Sequence, residues 1–227
     1  MLLQMYMPPR VVPSGLLLIM LLAPLGASCR TGGAGTAGSP GIIVQPGAPG
    51  QSTRTVSAEQ AADLSRVQPT AADVTFMQGM IGHHQQAIEM VELLTTRTAS
   101  EGMRKLGERI SVSQADEIGM MRTWLRAHGQ AVPDEHAMHV HGATLMPGML
   151  TEEEMDRLAV AKGARFDRLF LEGMIKHHGG ALTMVKDLLA TPGAAQDSEI
   201  FGFIADVDAD QRMEIDRMSD MLRELPK

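Results

Sequence analysis

The sequence predicts an all-α fold, a four-helix bundle built from two duplicated αα-hairpins, each preceded by a short helix. The first observation is an internal repeat, because Met80-Ile81-Gly82-His83-His84 recurs 94 residues later as Met174-Ile175-Lys176-His177-His178. The second is that apolar residues in the region 57–227 recur at helical spacing, without the sustained two-residue alternation of strands. Two similar halves with short internal connections are expected to pack as paired hairpins.

Each half begins with the pattern of a helix N-terminus. Ser57-x-x-Gln60 and Thr151-x-x-Glu154 match the capping box, in which two side chains satisfy free backbone N–H groups of the first turn. Each pattern predicts a short helix that ends before the histidine motif. The first break falls at Pro69-Thr70, where Thr70 is expected to cap the next helix, and the second falls near Gly163.

Two long helices are predicted in each half. The second helix of each half also repeats, now with a shift of 97 residues, since Gln114-x-x-Glu117 reappears as Gln211-x-x-Glu214. Thr98-x-x-Glu101 is a further capping-box pattern, and Gly129 is expected to stop the helix that follows it. The predicted long helices cover Ala71 to Thr95, Ser100 to Ala127, Ala164 to Ala190 and Ala195 to Leu225.

The histidine motifs fall on apolar helix faces. At 100° per residue, His83 is predicted near the centre of the face and His84 toward its edge, and the second motif is equivalent. The companion helices place a glutamine and a glutamate on faces that are otherwise apolar, where a carboxylate must be paired, protonated or bound to a metal. Two interpretations stay open: a polar network in which Glu117 and Glu214 accept hydrogen bonds from His83 and His177, or a metal site that uses the same atoms.

The residue types around the histidines favour copper. Thioether is a soft ligand that selects Cu(I), while imidazole suits copper, zinc, iron and nickel. A di-iron bundle needs Glu-x-x-His on two of its helices, and here Met80 and Met174 occupy the glutamate positions. We therefore expect a copper ion, Cu(I) rather than Cu(II), with iron or zinc as the alternatives.

A second group of candidate ligands lies in the linker between the two halves. Histidine and methionine are dense there, which is typical of segments that capture copper, although His-x-His also occurs in loops without metal. The residues concerned are His136, Met138, His139, His141, Met146 and Met149.

The N-terminus resembles an export signal. Arg10 precedes the short apolar run 16–23, which is too short to span a bilayer, since that takes about 20 residues in a helix. Cys29, the only cysteine, follows Leu25-Gly26-Ala27-Ser28, which resembles the lipobox of bacterial lipoproteins. We expect a lipid anchor at Cys29 that ties the protein to a membrane, with plain secretion and a free thiol as the alternative. A Gly/Pro/Ser-rich segment follows and is expected to act as a flexible tether.

Composition narrows the classes of function. The net charge of −7 and the 3% content of aromatic residues argue against a nucleic-acid partner, which usually requires a basic surface or aromatic stacking. The predicted organisation is a signal peptide at 1–28, a tether at 29–56, and a duplicated bundle at 57–227 with halves 57–128 and 151–225 and a linker 129–150.

The combined motifs resemble a known family. The resemblance rests on Phe76-x-x-x-Met80-Ile-x-His83-His84, Gln114-x-x-Glu117-Ile118-x-x-Met121, Met146-x-Gly-Met149, Phe170-x-x-x-Met174-Ile-x-His177-His178 and Gln211-x-x-Glu214-Ile215-x-x-Met218. These segments are similar to those of the domain of unknown function 305 family, a ferritin-like helical family of mainly exported bacterial proteins. Members of the CopM type bind copper through Met and His outside the cytoplasm and contribute to copper resistance.

The resemblance implies a set of metal ligands. It points to Met80, His83, His84 and Met90 in the first half and to Met174, His177, His178 and Met184 in the second. Separately, Gly179 and Gly180 after the second histidine pair lead us to expect a bend in that helix. Together with the polar helix faces and the linker, the candidate metal ligands are Met80, His83, His84, Met90, Glu117, Met121, Met174, His177, His178, Met184, Glu214, Met218, His139, His141, Met146 and Met149.

The sequence thus predicts a metal-binding protein of the bacterial periplasm or cell surface that buffers copper or delivers it to a protein partner. No Ser/His/Asp or Cys/His nucleophile pattern and no phosphate-binding glycine loop occurs, so no catalytic residue is predicted. Two alternatives stay open. One is a ferritin-like metal-dependent oxidase that uses Glu117, Glu214, His83 and His177, and the other is a metal-free helical interaction module.

Overall fold

A computed structural model describes residues 43–45, 52–63, 68–134 and 145–226 of the protein. The chain divides into two units, Met1–Ala58 and Glu59–Lys227. Cys29, His136, Met138, His139 and His141 lie outside the described residues, as does the region predicted as a signal peptide.

The first unit contains a short antiparallel ladder that the composition of the tether did not predict. Strand β1 (Ile43–Gln45) pairs with β2 (Arg54–Val56), so that Ile43 lies opposite Val56. β-Branched side chains favour the extended conformation, and Ile43, Val44, Thr55 and Val56 supply them within an otherwise Gly- and Pro-rich segment.

The second unit confirms the predicted fold. Its described residues form two antiparallel pairs of long helices, and a shorter helix precedes the first long helix of each pair. The helices are α1 (Ala58–Ala62), α2 (Ala71–Glu92), α3 (Leu94–Arg97), α4 (Glu101–Ala127), α5 (Glu152–Val160), α6 (Gly163–Ala190) and α7 (Ser198–Glu224).

Local sequence explains most of the helix starts. Thr70 caps α2 and forms a reciprocal capping box with Asp73, and Thr151 does the same with Glu154 at the start of α5. The capping box expected at Thr98-x-x-Glu101 is wrong, because Ser100 caps α4 instead. The Thr98 hydroxyl accepts a hydrogen bond from the Ser100 N–H, which places Thr98 in the turn before the helix.

The ends of two helices differ from the prediction. Helix α2 stops at Glu92 and is followed by the single turn α3, rather than continuing to Thr95. Helix α7 begins at Ser198 rather than Ala195, because Ala195 has a left-handed φ of 53° that no helix continues. The Ala195 N–H instead donates to Asp73 Oδ1 at 2.8 Å, which ties the loop before α7 to the start of α2.

The two halves meet where α2 crosses α6. The hairpins are α2 with α4 and α6 with α7, and α2 also packs along α6. The repeat is reciprocal at this crossing. Met184 Cε lies 3.6 Å from where a Cβ of Gly79 would be, and Met90 Cε lies 3.3 Å from the same point on Gly173. Each half thus places its methionine on the glycine of the other.

Helix α6 is one continuous helix through Gly179 and Gly180. The two glycines do not interrupt it, and the bend expected there stays a prediction. Gly180 also provides space, because a Cβ there would lie 1.9 Å from the carbonyl oxygen of Pro147. The glycine lets a loop backbone approach the helix closely.

The bundle core consists of two apolar clusters, one toward each end of the bundle. The first joins the beginning of α2 and the end of α4 to the second half of α6 and the beginning of α7, and includes Met80, Met121 and Trp124. The second joins the opposite parts of these helices and includes Met90, Met174 and Met218 among others. Neither cluster contains the histidines of the repeat, which lie at the middle of α2 and α6.

Candidate metal centre

A buried polar layer occupies the middle of the bundle, and each of its residues is at most 5% exposed. Helices α2 and α6 contribute the histidine pairs, and α4 and α7 contribute a Gln and a Glu three residues apart, which a helix places on one face. The layer consists of His83, His84, Gln114, Glu117, His177, His178, Gln211 and Glu214.

The second histidine of each pair binds a carboxylate of its own hairpin. His84 Nε2 lies 2.5 Å from Glu117 Oε2, and His178 Nε2 lies 2.6 Å from Glu214 Oε2. The expectation that Glu117 and Glu214 accept from the first histidines is therefore wrong. Successive residues of a helix point 100° apart, and α2 packs against both α4 and α6. His83 therefore faces α6, and His84 faces the glutamate on α4.

The first histidines of the two pairs contact each other across the α2/α6 crossing. The ring centroids of His83 and His177 are 3.8 Å apart and the ring planes are inclined by 40°. His83 Nε2 lies 3.0 Å from Pro147 O. Among the described residues, neither ring nitrogen of His177 has a hydrogen-bond partner.

Burial keeps the central rings neutral. Desolvation, with a smaller contribution from His84, lowers the pKa of His83 from 6.5 to about 3. Desolvation, followed by the repulsion that protonated His83 and His177 would exert on each other, likewise holds the pKa of His177 well below 6.5. Both rings are therefore neutral at pH 7, and a neutral imidazole has one nitrogen with a free lone pair.

The hydrogen bonds of the layer leave nitrogen atoms free inside the bundle. In His83, His84 and His178, the nitrogen that contacts an oxygen of a neighbouring residue is always Nε2. Within the described part of the chain, the Nδ1 atom of each of these rings has no partner. A metal-binding histidine usually has this arrangement, with one nitrogen on an oxygen and the other on the metal. Both amide atoms of Gln114 and Oε1 of Gln211 are likewise buried without a partner.

The methionines lie around this layer in two positions. Met80, Met121, Met174, Met218 and Met90 are fully buried in the apolar clusters on either side of the layer. Sulfur and methyl groups also meet at the crossing itself: Met146 Sδ lies 3.0 Å and Met184 Cε 3.6 Å from the position of a Cβ on Gly79, one turn before His83. Met149 is buried, with an exposure of 5%.

An acidic groove runs over the two carboxylates. Adjoining depressions between α4 and α7 are lined by Glu117 and Glu214, with Ser113 and Asp210 common to both. Partial burial, together with the charges of Glu117 and Glu214, raises the pKa of Asp210. Carboxylates outnumber the one arginine, Arg109, among the described residues that line the groove, and Glu117 and Glu214 lie between the groove and the histidines.

Comparison with known proteins identifies the family. The model of the family described as "Domain of unknown function (DUF305)" matches residues 73–222. The chain belongs to the DUF305 family. No curated protein sequence matches it significantly.

Solved structures of DUF305 proteins have the same fold. A candidate secreted DUF305 protein from Streptomyces coelicolor is 30% identical with a TM-score of 0.59, and the match covers 67% of this chain and 93% of that one. A DUF305 fragment from Deinococcus radiodurans is 29% identical with a TM-score of 0.60, over 70% of this chain and 100% of the fragment. CopM in the Cu(I)-bound form is 28% identical with a TM-score of 0.53, over 66% of this chain and 95% of CopM.

The structure brings the described histidines and glutamates of this DUF305 domain together in pairs: His83 with His177, His84 with Glu117, and His178 with Glu214. In the part of the chain that the structure describes, no three His, Cys, Asp or Glu side chains come close enough to hold a metal ion together. The sequence pointed to Gln114 and Gln211 as polar residues on apolar faces but did not include them among the candidate ligands. It missed Gln86, whose side chain binds the backbone of Leu150, and Pro147, whose carbonyl contacts His83; both contacts join the helices to the linker. No described helix is long and apolar enough to span a membrane.

Proposed function

We propose that this DUF305 protein binds copper, mainly as Cu(I), and buffers it or delivers it to a protein partner outside the cytoplasm. The observation that carries the proposal is the buried layer of imidazoles whose Nδ1 atoms lack partners within the described residues. Each buried polar group without a partner costs about 1–3 kcal/mol. A cation bound between His83 and His177 would satisfy a nitrogen of each ring.

The donor set suits a soft metal. The neutral rings of His83 and His177 offer lone pairs at the crossing, and Met146 and Met184 lie one turn away at Gly79. A metal at the crossing would have two imidazole ligands, so thioether sulfurs would complete its coordination. A set of imidazoles and thioethers favours Cu(I). The pairs His84–Glu117 and His178–Glu214 offer one further nitrogen in each half, the Nδ1 atom of the histidine.

The relatives support the same metal. CopM has been solved in Cu(I)-bound, Cu(II)-bound and Ag-bound forms, at 27–30% identity to this chain. Silver and Cu(I) are both soft monovalent ions, so one site of thioether and imidazole donors serves either.

The location outside the cytoplasm is part of the proposal. It is supported by the signal-like N-terminus and by the candidate secreted relative from Streptomyces coelicolor. Lipidation at Cys29 would hold the bundle at a membrane surface of the periplasm or cell exterior. Labelling cells with a radioactive fatty acid, with Cys29→Ala as the control, tests the anchor directly.

A competitive titration tests copper binding. Metal-free protein is titrated with Cu(I) against a chromogenic chelator, and with Zn(II) and Fe(II) in parallel. We expect tight Cu(I) binding that the double substitution His83→Ala and His177→Ala weakens by tenfold or more. The matched control is His128→Ala, since His128 caps the end of α4 outside the layer, where its ring lies against Trp124 and its Nδ1 atom bonds the Trp124 carbonyl.

Other outcomes of this titration would favour the alternatives. Fe(II) uptake with oxygen consumption, and no Cu(I) binding, would indicate an oxidase built on the two His–Glu pairs. No binding of any metal would leave the layer as a structural polar network, and the copper proposal would be wrong.

A further inference from the structure

The end of the linker crosses the site as a strap, which we define as Met146–Leu150. At its first residue, Met146 Sδ packs against Gly79 of α2. At its last residue, the Gln86 side chain holds the backbone of Leu150: Nε2 donates to Leu150 O at 2.9 Å, and Oε1 accepts from Leu150 N–H at 2.8 Å. The strap is therefore fixed to α2 at both ends.

The middle of the strap is held against α6 by contacts that require glycine. A Cβ on Gly180 would lie 1.9 Å from Pro147 O, and a Cβ on Gly148 would lie 2.5 Å from Lys176 O. Gly148 also has a left-handed φ of 76°. In the repeat, Gly180 corresponds to Gln86. The two halves thus differ at this position, where one makes room for a strap carbonyl and the other binds the strap backbone.

The strap carbonyl determines which nitrogen of His83 is free. Pro147 O lies 3.0 Å from Nε2 of His83. A carbonyl oxygen only accepts hydrogen bonds, so Nε2 carries the proton and the lone pair of the neutral ring is on Nδ1. This Nδ1 atom is buried, and no described group bonds it.

We infer that the strap positions the copper ligand His83: the Pro147 carbonyl holds the ring as its Nε2–H tautomer and leaves Nδ1 to bind the metal. Gly180 and Gln86 are the positioning residues, since they hold that carbonyl in place. The inference rests on the proposed copper binding. It adds the tautomer of one ligand and the residues that impose it.

Two adjacent glycines of α6 give a matched test. Gly180→Ala and Gly179→Ala both replace a helical glycine by a better helix former, but only the first adds a methyl group against Pro147 O, since a Cβ on Gly179 meets nothing within 4 Å. In metal-free protein with ¹⁵N-labelled histidine, we expect the Nε2–H signature of His83 to persist in Gly179→Ala and to be lost in Gly180→Ala. The Cu(I) dissociation constant should rise by about tenfold or more only in Gly180→Ala, as for other residues that orient a metal ligand.

A second pair of variants loosens the strap at its other end and serves if Gly180→Ala does not fold. Gln86→Leu removes both hydrogen bonds to Leu150, while Gln86→Glu keeps the acceptor for Leu150 N–H. We expect the Cu(I) dissociation constant to increase in the order unsubstituted protein, Gln86→Glu, Gln86→Leu.

The outcomes separate this inference from the proposed function. If the strap variants keep the Nε2–H signature of His83, or lose it with unchanged Cu(I) affinity, the positioning role is wrong while copper binding stands. If the unsubstituted protein binds no Cu(I), the proposed function is wrong, and the metal-binding role of His83 falls with it.

Discussion

Two neighbouring histidines of α6 should respond in opposite directions to the same substitution in the metal-free protein. His177 and His178 are both fully buried. They differ in their partners, because neither nitrogen of His177 is bonded to a described group, whereas His178 bonds the Glu214 carboxylate. Leucine at 177 removes two unpartnered nitrogens from the interior, but leucine at 178 leaves a buried carboxylate without its partner.

The magnitudes follow from these contacts. A buried polar group without a partner costs about 1–3 kcal/mol, so removing it stabilises the fold. Leucine is slightly larger than histidine, and crowding cancels part of this stabilisation. We expect His177→Leu to raise the free energy of unfolding by about 1–2 kcal/mol, which is about 2–8 °C in Tm for a domain of this size. Leaving a buried carboxylate without its partner costs about 3–5 kcal/mol, so His178→Leu should lower Tm by about 6–20 °C.

Urea unfolding at pH 7 in the presence of a chelator measures both effects. Trp124 is the only tryptophan and is buried in the core, so its fluorescence reports on the bundle. Equal destabilisation by the two substitutions would refute the reasoning, because His177 would then have partners in solution. With Cu(I) added, the unsubstituted protein should gain stability and His177→Leu should gain much less.

The remaining predictions concern acid and the packing of α4. Since burial lowers the pKa of His83 from 6.5 to about 3, the unfolded chain binds a proton that the folded protein does not between these values. The free energy of unfolding should therefore fall by about 1.6 kcal/mol from pH 6.5 to pH 5 through His83, and further through His177, whose pKa burial also lowers. A flat series of urea midpoints would contradict this. Gly107→Ala places a Cβ 2.2 Å from Leu94 Cδ1 and should lower the free energy of unfolding by about 1–3 kcal/mol. Gly119→Ala meets nothing within 4 Å and should raise it by up to about 1 kcal/mol; equal thermal melts of the two variants would show that α4 packs differently.

The helices and their repeat could be predicted because the signals are local. Capping boxes at Thr70 and Thr151 depend on residues three apart, and apolar spacing depends on the helix period alone. The same local reasoning was wrong at Thr98, because two candidate caps stood within three residues and only one could begin α4. It was also wrong at Ala195, whose backbone is held by Asp73 from a distant part of the chain.

The candidate site could be predicted only in its residue types. The repeat pointed to the four histidines and two glutamates of the layer, and all six are buried there. Which histidine bonds a glutamate could not be predicted, because it depends on which neighbouring helix lies on each side of α2. The sequence also singled out Gly180, but only the structure shows that the missing side chain leaves room for the Pro147 carbonyl.

The sequence by itself determined the all-α class, the duplication and the chemistry of the donors, since these follow from residue type and spacing along one helix. Only the tertiary structure decided that His83 meets His177, that His84 and His178 each bond a carboxylate, and that the strap carbonyl faces His83. The physical reason is that a helix period fixes the direction of each side chain, whereas the partner in that direction depends on how whole helices and the linker pack.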